Sequence, residues 1–427
     1  MVNKLTMAMD LFKKIIPGWA ILPPDVNRSA LPLLQARALR AIGDGYMAVL
    51  LPVYLLSLGL GTLQVGLIST ATLLGSALTT LAVGAWGHRF DANRLLRVAA
   101  WLMTATGLGL AGLSSFWPLL IVAFVGTLNP SAGDVSVFLP LEHARLADAA
   151  QGHARTSLFA RYSLLGALCA ALGALAAALP DAAAGWFGLE RLDVLRGMFV
   201  LYGILGLGVL GLYRRLPEAV PASLATALQV ERKAPALGPS RPIVVRLAAL
   251  FSVDAFAGGL LVNSLMSLWL LERFGVSLSQ AGMFFFWTGL LGALSQLAAP
   301  ALARRIGLLN TMVFTHIPAN MCLVLAALTP SWPVALVLLS VRSALSQMDV
   351  PTRTAYVMAV VTPAERPAAA SFTSVPRSLA SALSPSLSGA LLAAGWIATP
   401  LIACGLLKIC YDLALWRAMR HQRFEAE

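Results

Sequence analysis

A chain of 427 residues, 58% hydrophobic and only 12% charged, is too poor in charge for a soluble globular protein, in which about a quarter of residues are ionisable. Its formal charge of +12 does not point to nucleic acid, because the Lys and Arg residues sit in short breaks between apolar runs and form no basic face. The four cysteines, Cys169, Cys322, Cys404 and Cys410, fall inside apolar stretches without paired metal spacing and read as packing residues.

In residues 1–30, Leu5, Met9, Phe12 and Ile16 share a helical face flanked by Lys4, Lys13 and Lys14. That pattern predicts a cytoplasmic segment lying on the membrane surface, not a cleaved signal, since Lys13 and Lys14 interrupt the apolar stretch. Apolar runs of bilayer-crossing length follow at about 34–58, 63–87, 94–113, 116–141, 155–179 and 195–214. A second set lies at about 246–271, 278–303, 308–329, 332–360, 366–395 and 397–418. Residues 215–245, rich in Pro, Ala and basic residues, read as a cytoplasmic linker between bundles at 31–214 and 246–418, with a cytoplasmic tail at 419–427. The expected fold is an all-α membrane protein of twelve transmembrane helices in two six-helix bundles, acting as a monomer.

Basic residues alternate between the loops. His88, Arg89, Arg94, Arg97, Arg145, Arg155, Arg304, Arg305, Arg366, Arg417, Arg420 and Arg423 lie on one side, whereas loops such as Ser114-Ser-Phe-Trp117 and Thr329-Pro-Ser-Trp332 carry none. Both termini are therefore expected in the cytoplasm. An internal repeat ties the halves together. Gly59-Leu-Gly-Thr-Leu-Gln64-Val-Gly66 matches Gly275-Val-Ser-Leu-Ser-Gln280-Ala-Gly282 at an offset of 216 residues, which is also the offset from Arg161 to Arg377.

The loop after the second span, Gly84-Ala-Trp-Gly-His88-Arg89-Phe-Asp91-Ala-Asn-Arg94, and its partner Pro300-Ala-Leu-Ala-Arg304-Arg305-Ile-Gly307 resemble the loop motif of the major facilitator superfamily. The resemblance covers essentially the whole chain beyond residue 30. It implies a secondary transporter with two pseudo-symmetric bundles, a gating latch at His88 and Arg89, and a central path lined by the first, fourth, seventh and tenth helices. His88 stands where the family pattern has Asp, and Asp91 where it has its second Gly. The fifth span offers Gly166 and Gly173 in place of the Gly-Pro pair typical of drug antiporters.

Ionisable residues inside apolar runs are the functional candidates, because a charge at membrane depth survives only with a partner or beside water. A hairpin turning near residues 147–148 brings Asp134 and Arg161 to similar depth, and one near Pro363 does the same for Asp349 and Arg377. Each pair reads either as a static brace or as a gate that opens between conformations. Asp44 and Asp254 are the proton-coupling candidates, with pairing to Arg40 one turn away as the plainer role for Asp44. Arg342, about ten residues into its span, suits an anionic substrate group, with pairing to Asp349 as the alternative. Asn129, Tyr356, Asn263 and Gln296 are substrate hydrogen-bond candidates or bridges between helices. Glu142 and His143 read as loop charges. Met312 and His316 share a face and offer a weak soft-metal signal.

No phosphate-cradling loop or zinc-protease motif occurs in the sequence, so no cofactor, resident metal or enzymatic activity is expected. The reading that results is proton-coupled transport of a small organic molecule, preferably an anion, across an inner or plasma membrane, with efflux implied by a general resemblance to efflux members of the family. The expected partners are that substrate, protons and the lipid bilayer. Uptake, including copper-like import, and a transporter-like sensor are the alternatives.

Overall fold

The computed structural model describes residues 22, 26–86, 89–129, 136–150, 152–217, 237–362 and 365–420. Sixteen α-helices occur among the described residues. Eight crossings are single helices: α1 (Ala30–Ser57), α2 (Thr62–Trp86), α3 (Ala92–Gly112), α8 (Arg191–Tyr213), α11 (Leu278–Ile306), α12 (Leu308–Leu328), α15 (Arg366–Ala393) and α16 (Thr399–Met419). Four are divided. The fourth is α4 (Phe116–Val125) with α5 (Phe138–Ala149); the fifth is α6 (Gly152–Leu175), a 3-10 turn and α7 (Leu179–Phe187). The seventh is α9 (Arg241–Gly259) with α10 (Asn263–Phe274), and the tenth is α13 (Trp332–Ser346) with α14 (Asp349–Val360).

Ten helical stretches are long and apolar enough to cross a membrane on composition alone. Two of the expected twelve differ from a simple apolar rod. α4 is apolar but only 10 residues long, and the crossing resumes in α5. α15 has 28 residues, but its serines, Arg377 and the internal Pro376 and Pro385 make it too polar to stand out.

The breaks follow local chemistry. Gly126 ends α4 where a Cβ would lie 2.5 Å from Thr106 Oγ1, and that hydroxyl accepts the Thr127 N–H at 3.3 Å. Gly259 ends α9 against α15, where a Cβ would meet Ser384 Oγ at 2.1 Å. Pro351, three residues into α14, cannot supply the backbone N–H needed to continue the helix from α13. Irregular backbone at membrane depth is tolerated where it is buried in protein or lines a hydrated cavity.

The halves form two bundles. In the first, α1 packs on α6 and α8, and α3 on α8; in the second, α9 packs on α15 and α16, and α12 on α13 and α16. The bundles meet through α2 with α15, α6 with α11, and α1 with α10. The symmetry relating the halves exchanges the second span with the eighth and the fifth with the eleventh, so it converts the first of these contacts into the second.

The internal repeat builds this seam. Gly59 and Gly275 turn the chain with positive φ of 83° and 61°, a region that favours glycine. Gln64 and Gln280 each accept a backbone N–H at the start of the next helix, from Gly61 at 2.7 Å and Ser277 at 2.9 Å. A Cβ on Gly66 would lie 2.6 Å from the Pro385 carbonyl oxygen and 2.8 Å from Gly389 Cα, and one on Gly282 would lie 2.6 Å from the Ala174 carbonyl oxygen. Close by, the Ser386 N–H donates to Thr70 Oγ1 at 2.8 Å, Ser69 and Ser264 hydroxyls lie 3.3 Å apart, and Ser267 donates to the Val49 carbonyl at 3.1 Å.

These contacts lie on the membrane side away from the linker. Toward the linker, none of the described α2 residues from Leu78 to Trp86 is buried. The bundles are thus closed on the far side and parted on the linker side.

Both ends of the linker are tied down. The Pro217 carbonyl accepts from Asn93 at 2.8 Å and from Arg145 at 2.9 Å. At the other end Glu365 accepts from Ser240 at 2.5 Å, from Thr362 at 2.6 Å and from the Gly238 N–H. The hydroxyl of Ser240, joined by those of Thr362 and the Gly238 amide, holds the Glu365 carboxyl below its ordinary range.

Two outcomes are expected. Gly66→Leu forces side-chain atoms into the backbone of α15, and overpacking of this kind costs about 1–3 kcal/mol. Spin labels replacing the exposed Trp117 and Trp396 on the far side should move apart in that variant; an unchanged distance distribution refutes the role given to Gly66. Because the Glu365 pKa is depressed by folding, its contribution to stability is present above the unfolded carboxylate pKa and is lost as pH falls through the folded one. The melting-temperature gap between wild type and Glu365→Gln should therefore be open at neutral pH and close in acid.

Candidate transport site

Charge inside the first bundle gathers around Glu142 on α5. Its carboxylate is fully buried and accepts from Arg40 of α1, from Tyr162 of α6, and from Tyr213 of α8 at 2.6 Å. The guanidinium of Arg40 lies 4.0 Å from the centre of the Phe138 ring, and that of Arg37 lies 5.1 Å from the Tyr162 ring. Four helices thus converge on one carboxylate. Removing one partner from such a buried pair costs about 3–5 kcal/mol, so Glu142 is a brace in the core. The loop role expected from its position near the span's end is corrected: α5 carries it inward, toward partners distant in sequence.

Asp44 sits one turn further along α1, half-buried. Arg40 turns to Glu142, so the one-turn pairing considered for Asp44 is not its main contact. The Tyr202 hydroxyl of α8 lies 3.4 Å from both Asp44 Oδ1 and the Thr127 carbonyl oxygen. It therefore bridges the carboxyl to the break in the fourth span. Asn129 lies buried at the same break.

The second bundle holds a longer chain of charges. Asp349 and Arg353 pair across one turn of α14. Arg353 also reaches Asp254 of α9 at 3.3 Å, and Asp254 accepts from Lys408 of α16 at 2.5 Å. Asp254, which has no cation near it in sequence, thus sits between two. Arg377 of α15 lies within electrostatic range of it and is exposed. Deeper in the bundle, His316 Nδ1 of α12 lies 2.9 Å from Asp412 Oδ1 of α16.

Arg342 of α13 differs from these cations. It makes no hydrogen bond or ion pair among the described residues, and its Nε is buried without a partner. The Asp349 pairing considered for it is taken by Arg353. Nearby lie Cys404 of α16 and His316.

Of the other candidates, Gln296 of α11 donates to Gln347 at 3.3 Å across the break in the tenth span, and Asn263 opens α10 beside the break in the seventh. Tyr356 lies fully buried in an apolar core with Phe251, Met312 and Tyr411. Arg161 is half-buried on α6, and Arg89 is exposed on the linker side. Asp134 and His88 lie outside the described residues, so the Asp134–Arg161 pair and the latch at His88 do too.

Lys408 and Asp412 were absent from the sequence candidates, although both stand four residues apart inside the last apolar run. With Cys404 they form a stripe along α16 at the spacing of helical turns. That spacing was the signal available for finding them.

The profile of the Major Facilitator Superfamily matches residues 33–341 and 261–424. The uncharacterized membrane protein YJR124C of Saccharomyces cerevisiae is 22% identical over 410 residues, covering 88% of this chain and 91% of that protein. Among solved structures, a bacterial homologue of the human lysosomal transporter Spinster, inward-facing and occupied, aligns with a TM-score of 0.70 at 16% identity over 92% of this chain and 96% of that one. A D-xylose–proton symporter aligns with a TM-score of 0.70 at 17% identity over 91% and 97%. With a matching profile along nearly its whole length and two bundles parted on the side of their linker, the chain belongs to the major facilitator superfamily.

Proposed function

We propose that the protein is a proton-coupled secondary transporter that exports a small organic anion by alternating access, with the linker and both termini in the cytoplasm of a cell whose inner or plasma membrane it spans. The observation that carries the substrate class is Arg342, a guanidinium inside the second bundle without a counter-charge among the described residues. A desolvated cation of this kind is stabilised by a carboxylate or phosphate that accepts two parallel N–H bonds. Arg40, Arg353 and Lys408 are already paired and offer less to a ligand. The exposed Arg377 adds positive potential to the space between the bundles.

Asp44 and Asp254 are the carboxyls first considered for coupling. Asp44 is the freer of the two, with one tyrosine hydroxyl at 3.4 Å against the two cations that clamp Asp254. Asp349, Arg353 and Arg377 act as the ion-pair group that rearranges when the linker side closes. Proton coupling is supported by analogy with the D-xylose–proton symporter, which shares this fold. Export is the direction implied by the sequence resemblance to efflux members.

The test is a thermal-shift screen of organic anions against cationic drugs, followed by flux of the best ligand in proteoliposomes holding a pH-sensitive dye. A ligand at one hundred times its Kd stabilises by about 2.7 kcal/mol. Anions should stabilise the wild type, and Arg342→Ala should weaken their binding at least about tenfold, the loss of one charge-assisted interaction of about 1.5–3 kcal/mol. Stabilisation by cationic drugs that survives Arg342→Ala refutes the anion assignment. Ligand and protons moving in the same direction replace export by import, and binding without flux favours a sensor. Metal accumulation abolished by replacing His316 favours the soft-metal reading.

A further inference from the structure

Resting on the proton-coupled reading, we infer that the exchangeable proton of the second bundle is held by Asp412 of α16 together with His316 of α12. The argument begins with Asp254. It is bonded to Lys408 at 2.5 Å and to Arg353 at 3.3 Å, and Arg353 also holds Asp349. These two acids and two bases balance one another, so the chain keeps Asp254 ionised and has no charge left for a neighbour.

Asp412 stands beside this balanced chain in a different setting. Its residue is 1% exposed, its Oδ1 meets His316 Nδ1 at 2.9 Å, and its Oδ2 is buried with no hydrogen-bond partner. A carboxylate would leave half of its negative charge on that unpartnered oxygen, which is costly away from water. A neutral carboxyl that donates from Oδ1 to Nδ1 leaves only a carbonyl oxygen there.

The pair faces charges of both signs. From its own helix Asp412 meets Lys408 and Tyr411, from α9 Asp254, from α14 Arg353, and from α12 His316 and Asn320. His316 also faces Lys408, Arg353 and Arg342, and the carboxylate of Asp254. Arg342 lies by Cys404, eight residues or about 12 Å along α16 from Asp412, and so does not neutralise a charge there. The pair is therefore neutral with one shared proton. When Lys408 leaves Asp254 as the bundle rearranges, its charge becomes available to the Asp412 carboxylate, and the proton departs through His316: Nδ1 accepts it from Oδ1 while Nε2 releases one.

The test is pH-difference infrared spectroscopy of the full-length protein in phosphatidylcholine vesicles, reading the carbonyl stretch of protonated carboxyls. One component of that band should be lost in Asp412→Asn and shifted in frequency in His316→Gln. Asp412→Glu, which keeps a carboxyl, should move the component without removing it and serves if the Asn variant fails to fold. A wild-type band with no component that Asp412 substitution removes or shifts overturns the inference. So does a component unmoved by His316→Gln. The readout is protonation, whereas the dye assay reads transport. A band behaving as expected without proton flux therefore leaves this assignment standing and removes the coupled-transport reading.

Discussion

Desolvation of charge governs this molecule. An ion moved from water into a helix bundle loses hydration that attraction to a single partner rarely restores in full, so each buried charge must collect several partners or stand beside water. Glu142 does the first, drawing donors from α1, α6 and α8. The positions of the spans follow from apolar length, but the way helices lean together inside each half follows from where these charges have to meet.

The two bundles, although built on one repeat, meet this demand differently. The first concentrates its compensation on one carboxylate surrounded by an arginine and two tyrosines, an arrangement with little freedom to exchange partners. The second strings Asp349, Arg353, Asp254 and Lys408 over α14, α9 and α16. In such a chain a partner given up at one link is recoverable at the next, so modest helix movement changes which charges pair without exposing any of them.

Much of the fold was legible from the residues because it rests on local pattern. Apolar length gave the crossings, alternation of arginine gave the loops, and the shared Gly-Gln-Gly spacing gave the two halves. The second glycine of each copy, Gly66 and Gly282, proved to be where the bundles touch, a role that only packing reveals. α15 was recognised from its length despite its serines and prolines. The site was less legible, because ion pairs depend on which helices become neighbours. Arg40 and Glu142 are separated by 102 residues, and Lys408 and Asp254 by 154. Judged by sequence neighbours alone, Asp254 looked solitary and Glu142 peripheral, and Lys408 with Asp412 passed as part of an apolar run.

The seam between the bundles carries a consequence of its own. The ion pairs described above each close within one bundle, whereas the contacts between bundles are glycine backbones and serine or threonine hydroxyls. Such a junction is short-ranged and nearly blind to the ionic strength of the medium. Parting it forfeits many shallow contacts together without severing an ion pair, so its energetics change little between dilute and salty surroundings.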